Sequence, residues 1–263
     1  MEAQRLLTHM ARTRVMPDVQ TFTILMDAHC KEGMLNEAES IVNHMVQLGK
    51  MPNNVTYNTL MDGYCTQNRM SDARRVLSLM VEMGCSPDVV NYNILISGFC
   101  KANRVNEPIT LFLEMRQRGL IPNAITYNTL IKGYCQVGNL QAAEELLNDM
   151  QSDDLCLDYY TLNAFLDGLC KTQQIDKAVT LLRRMEDLKL VPDVVTYNIL
   201  MNGLCNDGKL KDAMELFNCL HARGLQPNKW TYSIIMSGLC KGGRTGEAYQ
   251  LLKEMEMVSL TIQ

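Results

Sequence analysis

The segment 55–65, VTYNTLMDGYC, arranges apolar and polar residues with the period of an α-helix. Its apolar face follows the spacing i, i+3, i+4, i+7 and i+8 and consists of Tyr57, Leu60, Met61, Tyr64 and Cys65. After a polar interval, a second apolar stripe is formed by Ala73, Val76, Leu77 and Met80. The pattern therefore predicts two consecutive helices, the second ending near Gly84, before Pro87.

This pattern returns along the whole chain at a fixed distance. Copies of the segment begin 35 residues apart, at Gln20, Val90, Ile125, Tyr160, Val195 and Trp230. We number seven repeats, which span 19–53, 54–88, 89–123, 124–158, 159–193, 194–228 and 229–263. Residues 1–18 match the second half of a repeat, so they are predicted to be a partial repeat with a second helix only.

A period of this length predicts an all-α fold, a right-handed α-solenoid superhelix of tandem 35-residue helical hairpins. The residues expected to N-cap the second helices are Asn36, Ser71, Asn106 and Asp176. First helices carry a recurrent glycine, which indicates close helix packing, at Gly63, Gly98, Gly133, Gly168, Gly203 and Gly238. Ala28 replaces it in repeat 1.

Charge and composition do not indicate a particular partner. The chain has 25 basic and 29 acidic residues, a net charge of -4, so no global basic signal marks a nucleic-acid binder. No apolar run approaches the roughly 18 residues of a membrane span, and the start lacks a signal-peptide core. We expect a soluble protein in which contacts with a polyanion depend on local placement.

Seven of the ten cysteines occupy one place in the repeat, at Cys30, Cys65, Cys100, Cys135, Cys170, Cys205 and Cys240. Neighbouring helices pack about 8 to 10 Å apart, beyond the roughly 7 Å between Cα atoms that a disulfide tolerates. These cysteines are therefore expected to be reduced and buried. Their spacing also lacks the close Cys-x-x-Cys pairs of zinc sites.

The sequence predicts no enzymatic activity, cofactor or metal site. The four histidines, His9, His29, His44 and His221, lack metal-ligand spacing, and we interpret them as surface or packing residues. A phosphate-binding loop is missing from the sequence, and no Ser, Cys or carboxylate recurs beside a candidate base.

Two repeat positions carry short hydrogen-bonding side chains where packing does not require them. The fifth residues are Thr23, Asn58, Asn93, Asn128, Asn163, Asn198 and Ser233. The last residues are Asn53, Asp88, Asn123, Asp158, Asp193 and Asn228. Both positions should flank one edge of the solenoid. Helix capping is an alternative interpretation for the last residue, but it explains the fifth residue poorly because that residue lies inside the helix.

The unit, with its VTYN opening, GYC or GLC close, central Ala and final Pro-Asp or Pro-Asn, resembles the pentatricopeptide repeat family over the entire chain. It is most similar to P-class plant organellar members of the fertility-restorer type. The resemblance implies a monomer that binds single-stranded RNA sequence-specifically, one base per repeat. It further implies roles in RNA processing, stabilisation or translation, protein partners for processing, and a mitochondrial location, with plastids second.

The resemblance also assigns roles to individual residues. The fifth and last residues of one repeat read a base together. The second residues would support the base face, and they are Val55, Val90, Ile125, Tyr160, Val195 and Trp230, with Gln20 the exception. Lysines after the recurrent cysteine would approach phosphate, at Lys31, Lys101, Lys171 and Lys241. A solvated lysine at a helix end is the alternative.

In the resembled family, Thr with Asn favours A, Asn with Asp favours U, Asn with Asn favours C over U, and Thr with Asp favours G. In chain order, the six pairs from Thr23 with Asn53 to Asn198 with Asn228 give 5′-A-U-(C/U)-U-U-(C/U)-3′. Ser233 pairs with Gln263, a combination that leaves the seventh base undecoded.

A protein-binding solenoid of the tetratricopeptide type is the alternative function. That type uses the same stacked hairpins, but its period is about 34 residues, with Trp, Leu, Gly and Tyr landmarks that this sequence lacks.

Overall fold

The computed structural model describes residues 16–104, 106–187 and 190–261. Within these ranges all regular secondary structure is helical and strands are absent. Most of the predicted partial repeat, 1–18, lies outside the described residues, as does Gln263.

Each repeat contains two antiparallel helices joined by a short turn. The first helices are α1 (Val19–Lys31), α3 (Asn54–Thr66), α5 (Val89–Lys101), α7 (Ala124–Gln136), α9 (Tyr159–Lys171), α11 (Val194–Asn206) and α13 (Lys229–Lys241). The second helices are α2 (Leu35–Gln47), α4 (Met70–Glu82), α6 (Asn106–Gln117), α8 (Leu140–Ser152), α10 (Ile175–Asp187), α12 (Leu210–Ala222) and α14 (Thr245–Thr261). The predicted all-α fold of tandem hairpins is confirmed. None of the helices in the described ranges is long and apolar enough to cross a membrane.

The chain divides into two compact units, 1–133 and 134–263. In the first unit α1 packs on α3 and α3 on α5, and in the second unit α9 packs on α11 and α11 on α13. Second helices contact the first helix of their own repeat and that of the next repeat. The core of each unit therefore lies between successive hairpins, where Tyr57, Tyr92 and Tyr197 are at most 1% exposed.

The second helices begin earlier than predicted. The expected caps lie inside the helices or at their first residue: Asn36, Ser71, Asn106 and Asp176. The physical reason is the apolar residue before them, because Leu35 and Met70 are each only 3% exposed and are buried as the first helical residue. The cap position is one residue earlier still, where Asn139 accepts a hydrogen bond from the Ala142 amide at 3.3 Å.

The second helix of repeat 2 ends as predicted, at a glycine. Gly84 has a φ of +76°, a left-handed conformation that favours glycine. The Cys85 amide donates to the Met80 carbonyl at 2.9 Å, and the Gly84 amide donates to the Val81 carbonyl at 3.0 Å. This pair of bonds satisfies the last helical carbonyls and turns the chain towards the next repeat.

The recurrent glycine allows close approach of consecutive first helices. A Cβ atom added to Gly63 would lie 2.6 Å from Cys30 Sγ and 2.8 Å from Cys30 Cβ, well inside van der Waals contact. The same arrangement joins Gly98 to Cys65. The six recurrent cysteines from Cys30 to Cys205 thus pack against the backbone of the next repeat, which accords with the close helix packing that the glycines predicted.

The ten cysteines are free thiols, and burial raises the pKa of most of the recurrent ones. Burial raises the pKa of Cys65, Cys135 and Cys170 to about 12 and that of Cys30 to about 11. The expectation that all seven recurrent thiols are buried is wrong for Cys240, which is exposed, and Cys65 and Cys100 are only half-buried. Among the described residues, no group of three His, Cys, Asp or Glu side chains is placed to hold a metal ion.

We expect thiol reagents to separate these two classes at about pH 8. Exposed Cys156, Cys219 and Cys240 should react first. Cys30, with its pKa raised from 9.0 to about 11, should hold roughly a hundredfold less thiolate than an unperturbed thiol. Mass spectrometry of maleimide-labelled peptides measures the difference, and labelling of Cys135 as fast as Cys156 would contradict it.

The same shifts make stability depend on alkaline pH. Because the folded state holds these protons more tightly than the unfolded state, their contribution is fully present below the ordinary thiol pKa of 9.0. It is lost as pH rises through about 11 to 12.

Candidate nucleic-acid interface

In repeats 1 to 6 the last residue is the N-cap of the next first helix. In repeat 3, Asn123 Oδ1 accepts the Thr126 amide at 3.1 Å, and in repeat 5, Asp193 Oδ1 accepts the Thr196 amide at 2.9 Å. The capping interpretation of the last residue is therefore correct. It leaves one further polar atom on each side chain, a donating Nδ2 on Asn123 and an accepting Oδ2 on Asp193.

A buried threonine, which the sequence analysis missed, joins the fifth and last residues. Thr126, the third residue of repeat 4, donates from Oγ1 to Asn93 Oδ1 at 2.7 Å and accepts the Asn123 amide at 3.2 Å. Asn93 Nδ2 in turn donates to Asn123 Oδ1 at 3.3 Å. The two predicted reading residues of repeat 3 are thus in direct contact.

Repeats 1 and 5 have related geometry. Thr196 Oγ1 donates to Asn163 Oδ1 at 2.9 Å and contacts Asp193 Oδ1 at 3.0 Å. Thr23 and Thr56 place their hydroxyl oxygens 3.2 Å apart, and Thr23 Oγ1 also donates to a main-chain carbonyl. The structure therefore brings the fifth residue of these repeats to the third residue of the next repeat.

In repeat 2 an asparagine takes the place of this threonine. Asn91 Oδ1 accepts the Asp88 amide at 2.6 Å, and Asn91 Nδ2 donates to Asn58 Oδ1 at 2.6 Å. Asp88 Oδ2 is engaged too, because it accepts from Asn54 Nδ2 at 2.7 Å. The third residues of repeats 2 to 7 are fully buried, with 0% exposure: Thr56, Asn91, Thr126, Thr161, Thr196 and Thr231. Their recurrence in the VTYN motif was the sequence signal.

The remaining predicted reading residues have different hydrogen-bond partners or burial. Asn128 lies in the first unit and Asp158 in the second, where Asp158 caps α9 by accepting the Thr161 amide at 2.8 Å. Ser233 is exposed and donates to the Lys229 carbonyl at 2.9 Å. Asn198 is buried, and the cap residue Asn228 accepts the Thr231 amide at 3.1 Å.

The predicted stacking residues form a series of exposed apolar side chains. Each is more than half exposed: Val55 60%, Val90 53%, Ile125 63%, Tyr160 84%, Val195 52% and Trp230 73%. Since they add little to the core, packing within the protein does not account for apolar residues at this position.

Two of these residues meet predicted readers around a cavity of about 730 Å³ in the first unit. Its lining includes the second residues of repeats 3 and 4, Val90 and Ile125, the pair Asn93 and Asn123, and the ammonium-bearing Lys101. The lining thus combines apolar side chains with several asparagine amides, one ammonium group and the carboxylate of Asp62, so it offers apolar contact beside hydrogen-bonding groups.

Comparison with models of protein families shows to which family this chain belongs. The model described as the PPR repeat family matches 17–65, 52–100, 87–136, 122–171, 157–206 and 192–241, and the PPR repeat model matches 230–259. The chain belongs to the pentatricopeptide repeat (PPR) family.

Solved PPR structures share the fold. The crystal structure of the pentatricopeptide repeat protein PPR10 from maize has a TM-score of 0.63 and 24% identity, over 98% of this chain and 41% of that chain. PPR10 in complex with an 18-nt psaJ RNA element has a TM-score of 0.59 and 24% identity, over 98% and 43%. The PPR domain of Arabidopsis thaliana PRORP1 in complex with tRNA has a TM-score of 0.55 and 18% identity, over 68% and 94%. This chain spans less than half of the PPR10 chain. No curated protein sequence matches it significantly.

The predicted phosphate lysines differ in their surroundings within this PPR chain. Three have partners: Lys31 with Asp27 at 2.6 Å, Lys171 with Asp167 at 2.5 Å, and Lys241 with Asn206 at 2.8 Å. Both ion pairs are exposed and screened by solvent, so they would yield readily to a phosphate. Of the four lysines, Lys101 lines the cavity.

Proposed function

We propose that this PPR protein binds single-stranded RNA sequence-specifically, with each repeat accommodating one base that its fifth and last residues read. The observation that carries the proposal is the cavity of repeat 3, where Asn93 and Asn123 touch beside the exposed Val90 and Ile125. Family membership supports it, since PPR10 and the PRORP1 PPR domain have been crystallised with RNA.

Hydrogen-bonding atoms explain how such a pair selects a base. In repeat 3, Thr126 occupies Asn93 Oδ1 and the helix cap occupies Asn123 Oδ1, so both side chains offer Nδ2 donors. Two adjacent donors match the O2 and N3 acceptors on the Watson–Crick edge of cytosine.

Repeat 5 presents a different pair of atoms. Asn163 Oδ1 accepts from Thr196, which leaves Nδ2 as a donor, while Asp193 uses Oδ1 in the cap and offers Oδ2 as an acceptor. A donor beside an acceptor matches O2 and N3–H of uracil. Repeats 3 and 5 would therefore read C and U, in agreement with the base preferences of the family.

The site that we propose is 5′-A-U-(C/U)-U-U-(C/U)-3′, with repeat 1 at the 5′ end. Family membership also motivates the wider role that we propose, in the processing, stabilisation or translation of organellar transcripts, in mitochondria before plastids.

Equilibrium binding by fluorescence anisotropy tests the class of ligand. We expect tight binding of a single-stranded RNA that contains A-U-C-U-U-C, weaker binding of a shuffled RNA, and little binding of the same RNA in a duplex, because bases must be unpaired to be read. Equal affinity for all three RNAs would contradict the proposal and favour the tetratricopeptide-type protein scaffold.

Replacement of the most exposed stacking residue should weaken binding without unfolding the protein. Tyr160 is 84% exposed, so Tyr160→Ala should leave the melting temperature nearly unchanged. Loss of the ring should lower RNA affinity by about 1 to 3 kcal/mol. Tyr249→Ala is the matched control, because Tyr249 is 60% exposed on the second helix α14, away from the second-residue position. If the two variants bind RNA with equal affinity, Tyr160 is not part of the RNA-binding surface.

A further inference from the structure

Repeats 3 and 6 carry the same reading pair, Asn with Asn, but the hydrogen bonding of the fifth-residue amide differs between them. In repeat 3, Asn93 Oδ1 accepts a hydrogen bond from Thr126 Oγ1 at 2.7 Å. In repeat 6, Asn198 is only 8% exposed, and its Oδ1 is buried without a hydrogen-bond partner among the described residues. Thr231 is the counterpart of Thr126, and its hydroxyl contacts Asn228 Oδ1 at 3.2 Å as that of Thr126 contacts Asn123 Oδ1 at 3.1 Å, but it makes no bond to Asn198 Oδ1.

This difference controls whether the amide can turn. Rotation about the last side-chain bond of Asn exchanges Oδ1 and Nδ2, and hence exchanges acceptor and donor. In repeat 3 the turned amide would place Asn93 Oδ1 against Asn123 Oδ1, at the 3.3 Å now spanned by a hydrogen bond. In repeat 6 the turn breaks no hydrogen bond to Asn198 Oδ1, because that oxygen has no partner among the described residues.

We propose that a third residue that hydrogen-bonds the fifth-residue amide of the preceding repeat is a positioning residue for base selectivity in that repeat, because it fixes the orientation of the amide. Repeat 6, which lacks this bond, is then a position of low selectivity. The inference rests on the proposed function and deepens it, since it ranks two repeats that the family preferences treat as equal.

Base chemistry gives the direction of the effect. A fixed Asn93 donor with the Asn123 donor suits the O2 and N3 acceptors of cytosine and opposes the N3–H of uracil. An Asn198 amide that turns presents an acceptor as readily as a donor. It can then receive N3–H of uracil, N1–H of guanine or the amino group of adenine, so the sixth base should vary at little cost.

The chain contains a matched control for the positioning threonine. Thr126 and Thr231 are both 0% exposed. Both support an asparagine cap in the same way: the Thr126 hydroxyl accepts the Asn123 amide at 3.2 Å, and the Thr231 hydroxyl accepts the Asn228 amide at 3.1 Å. Both hydroxyls also contact the Oδ1 atom of the last-residue asparagine, Asn123 at 3.1 Å and Asn228 at 3.2 Å. Thr126→Val and Thr231→Val should therefore cost similar stability, whereas only Thr126→Val removes a bond to the fifth-residue amide.

The test measures dissociation constants for RNAs that carry each of the four bases at the third or sixth position of A-U-C-U-U-C. For the wild-type protein, we expect the preference for C over the other bases to be about fivefold stronger at the third position. Thr126→Val should lower the third-position preference about three- to tenfold. Thr126→Ser should retain it, and Thr231→Val should leave the sixth-position ratio unchanged.

The outcomes distinguish the inference from the proposed function. Equal selectivity at the third and sixth positions of the wild-type protein, or an unchanged third-position ratio in Thr126→Val, would overturn the inference while base reading stands. The wild-type comparison needs no variant, so a poorly folded mutant does not protect the inference. Absence of base preference at all six positions would instead contradict the proposed function itself.

Discussion

Asn163→Thr is expected to switch the preference at the fifth base from U towards G. Threonine is shorter and replaces the Nδ2 donor with a hydroxyl, which leaves space for a purine, while Asp193 Oδ2 still accepts from a base N–H. Thr196, now 2.9 Å from Asn163 Oδ1, can contact the new hydroxyl as Thr56 contacts Thr23. A base-edge match is worth roughly 1 to 3 kcal/mol, so the U-to-G ratio should change about fivefold or more.

Repeat 2 supplies the internal control for this switch. Asn58 and Asp88 form the same type of pair, and neither residue is near Asn163 in the sequence. The preference for U at the second base should therefore remain in the Asn163→Thr protein. If the variant binds the U and G forms of the RNA in the wild-type ratio, Asn163 and Asp193 are not base readers.

Gly63→Ala is expected to destabilise the protein, although alanine is the better helix former. The new Cβ would lie 2.6 Å from Cys30 Sγ and 2.8 Å from Cys30 Cβ, and the latter atom cannot rotate away. Overpacking typically costs about 1 to 3 kcal/mol, against a gain in helix propensity of about 1 kcal/mol. We expect the upper end of the cost and a net loss of about 1 to 2 kcal/mol, measured by urea unfolding.

Two variants frame this result. Gly246→Ala in α14 should leave stability unchanged or slightly higher, because nothing lies within 4 Å of a Cβ at that position. Cys30→Ala combined with Gly63→Ala should recover part of the loss by removing the nearer atom. Unfolding of Gly63→Ala at or above the wild-type urea midpoint would show that the helices can separate freely at this contact.

Periodicity alone predicted most of the fold. The apolar spacing in 55–65 placed a helix that the structure extends by one residue at each end, to Asn54–Thr66. The recurrent glycines predicted close helix packing, which the contact between Gly63 and Cys30 confirms. These features follow from local spacing, which a single sequence displays directly.

Residue type predicted the starts of the second helices wrongly, because burial of the preceding residue sets them. Asn36 and Ser71 have the chemistry of N-caps, yet the helices begin at the buried Leu35 and Met70 before them. Burial of Leu35 and Met70 thus outweighed the local capping preference of the residues that follow them.

The candidate site was predictable only in part. Recurrence of short polar residues identified Asn93 and Asn123, but not the buried Thr126, which joins them and binds Asn93 across 33 residues of chain. Its hydroxyl matters because of where the next repeat packs, which a residue list does not reveal. The unpartnered oxygen of Asn198 is likewise visible only in three dimensions.

Selection from a randomised single-stranded RNA library, followed by sequencing of the bound fraction, tests the central claim most directly. The account predicts enrichment of an ordered motif, A-U-C-U-U-C, with uracil strongest at the second, fourth and fifth positions and cytosine better defined at the third position than at the sixth. A bound fraction without a motif, or with a motif whose order ignores the sequence of reading pairs, would contradict reading of one base by each repeat.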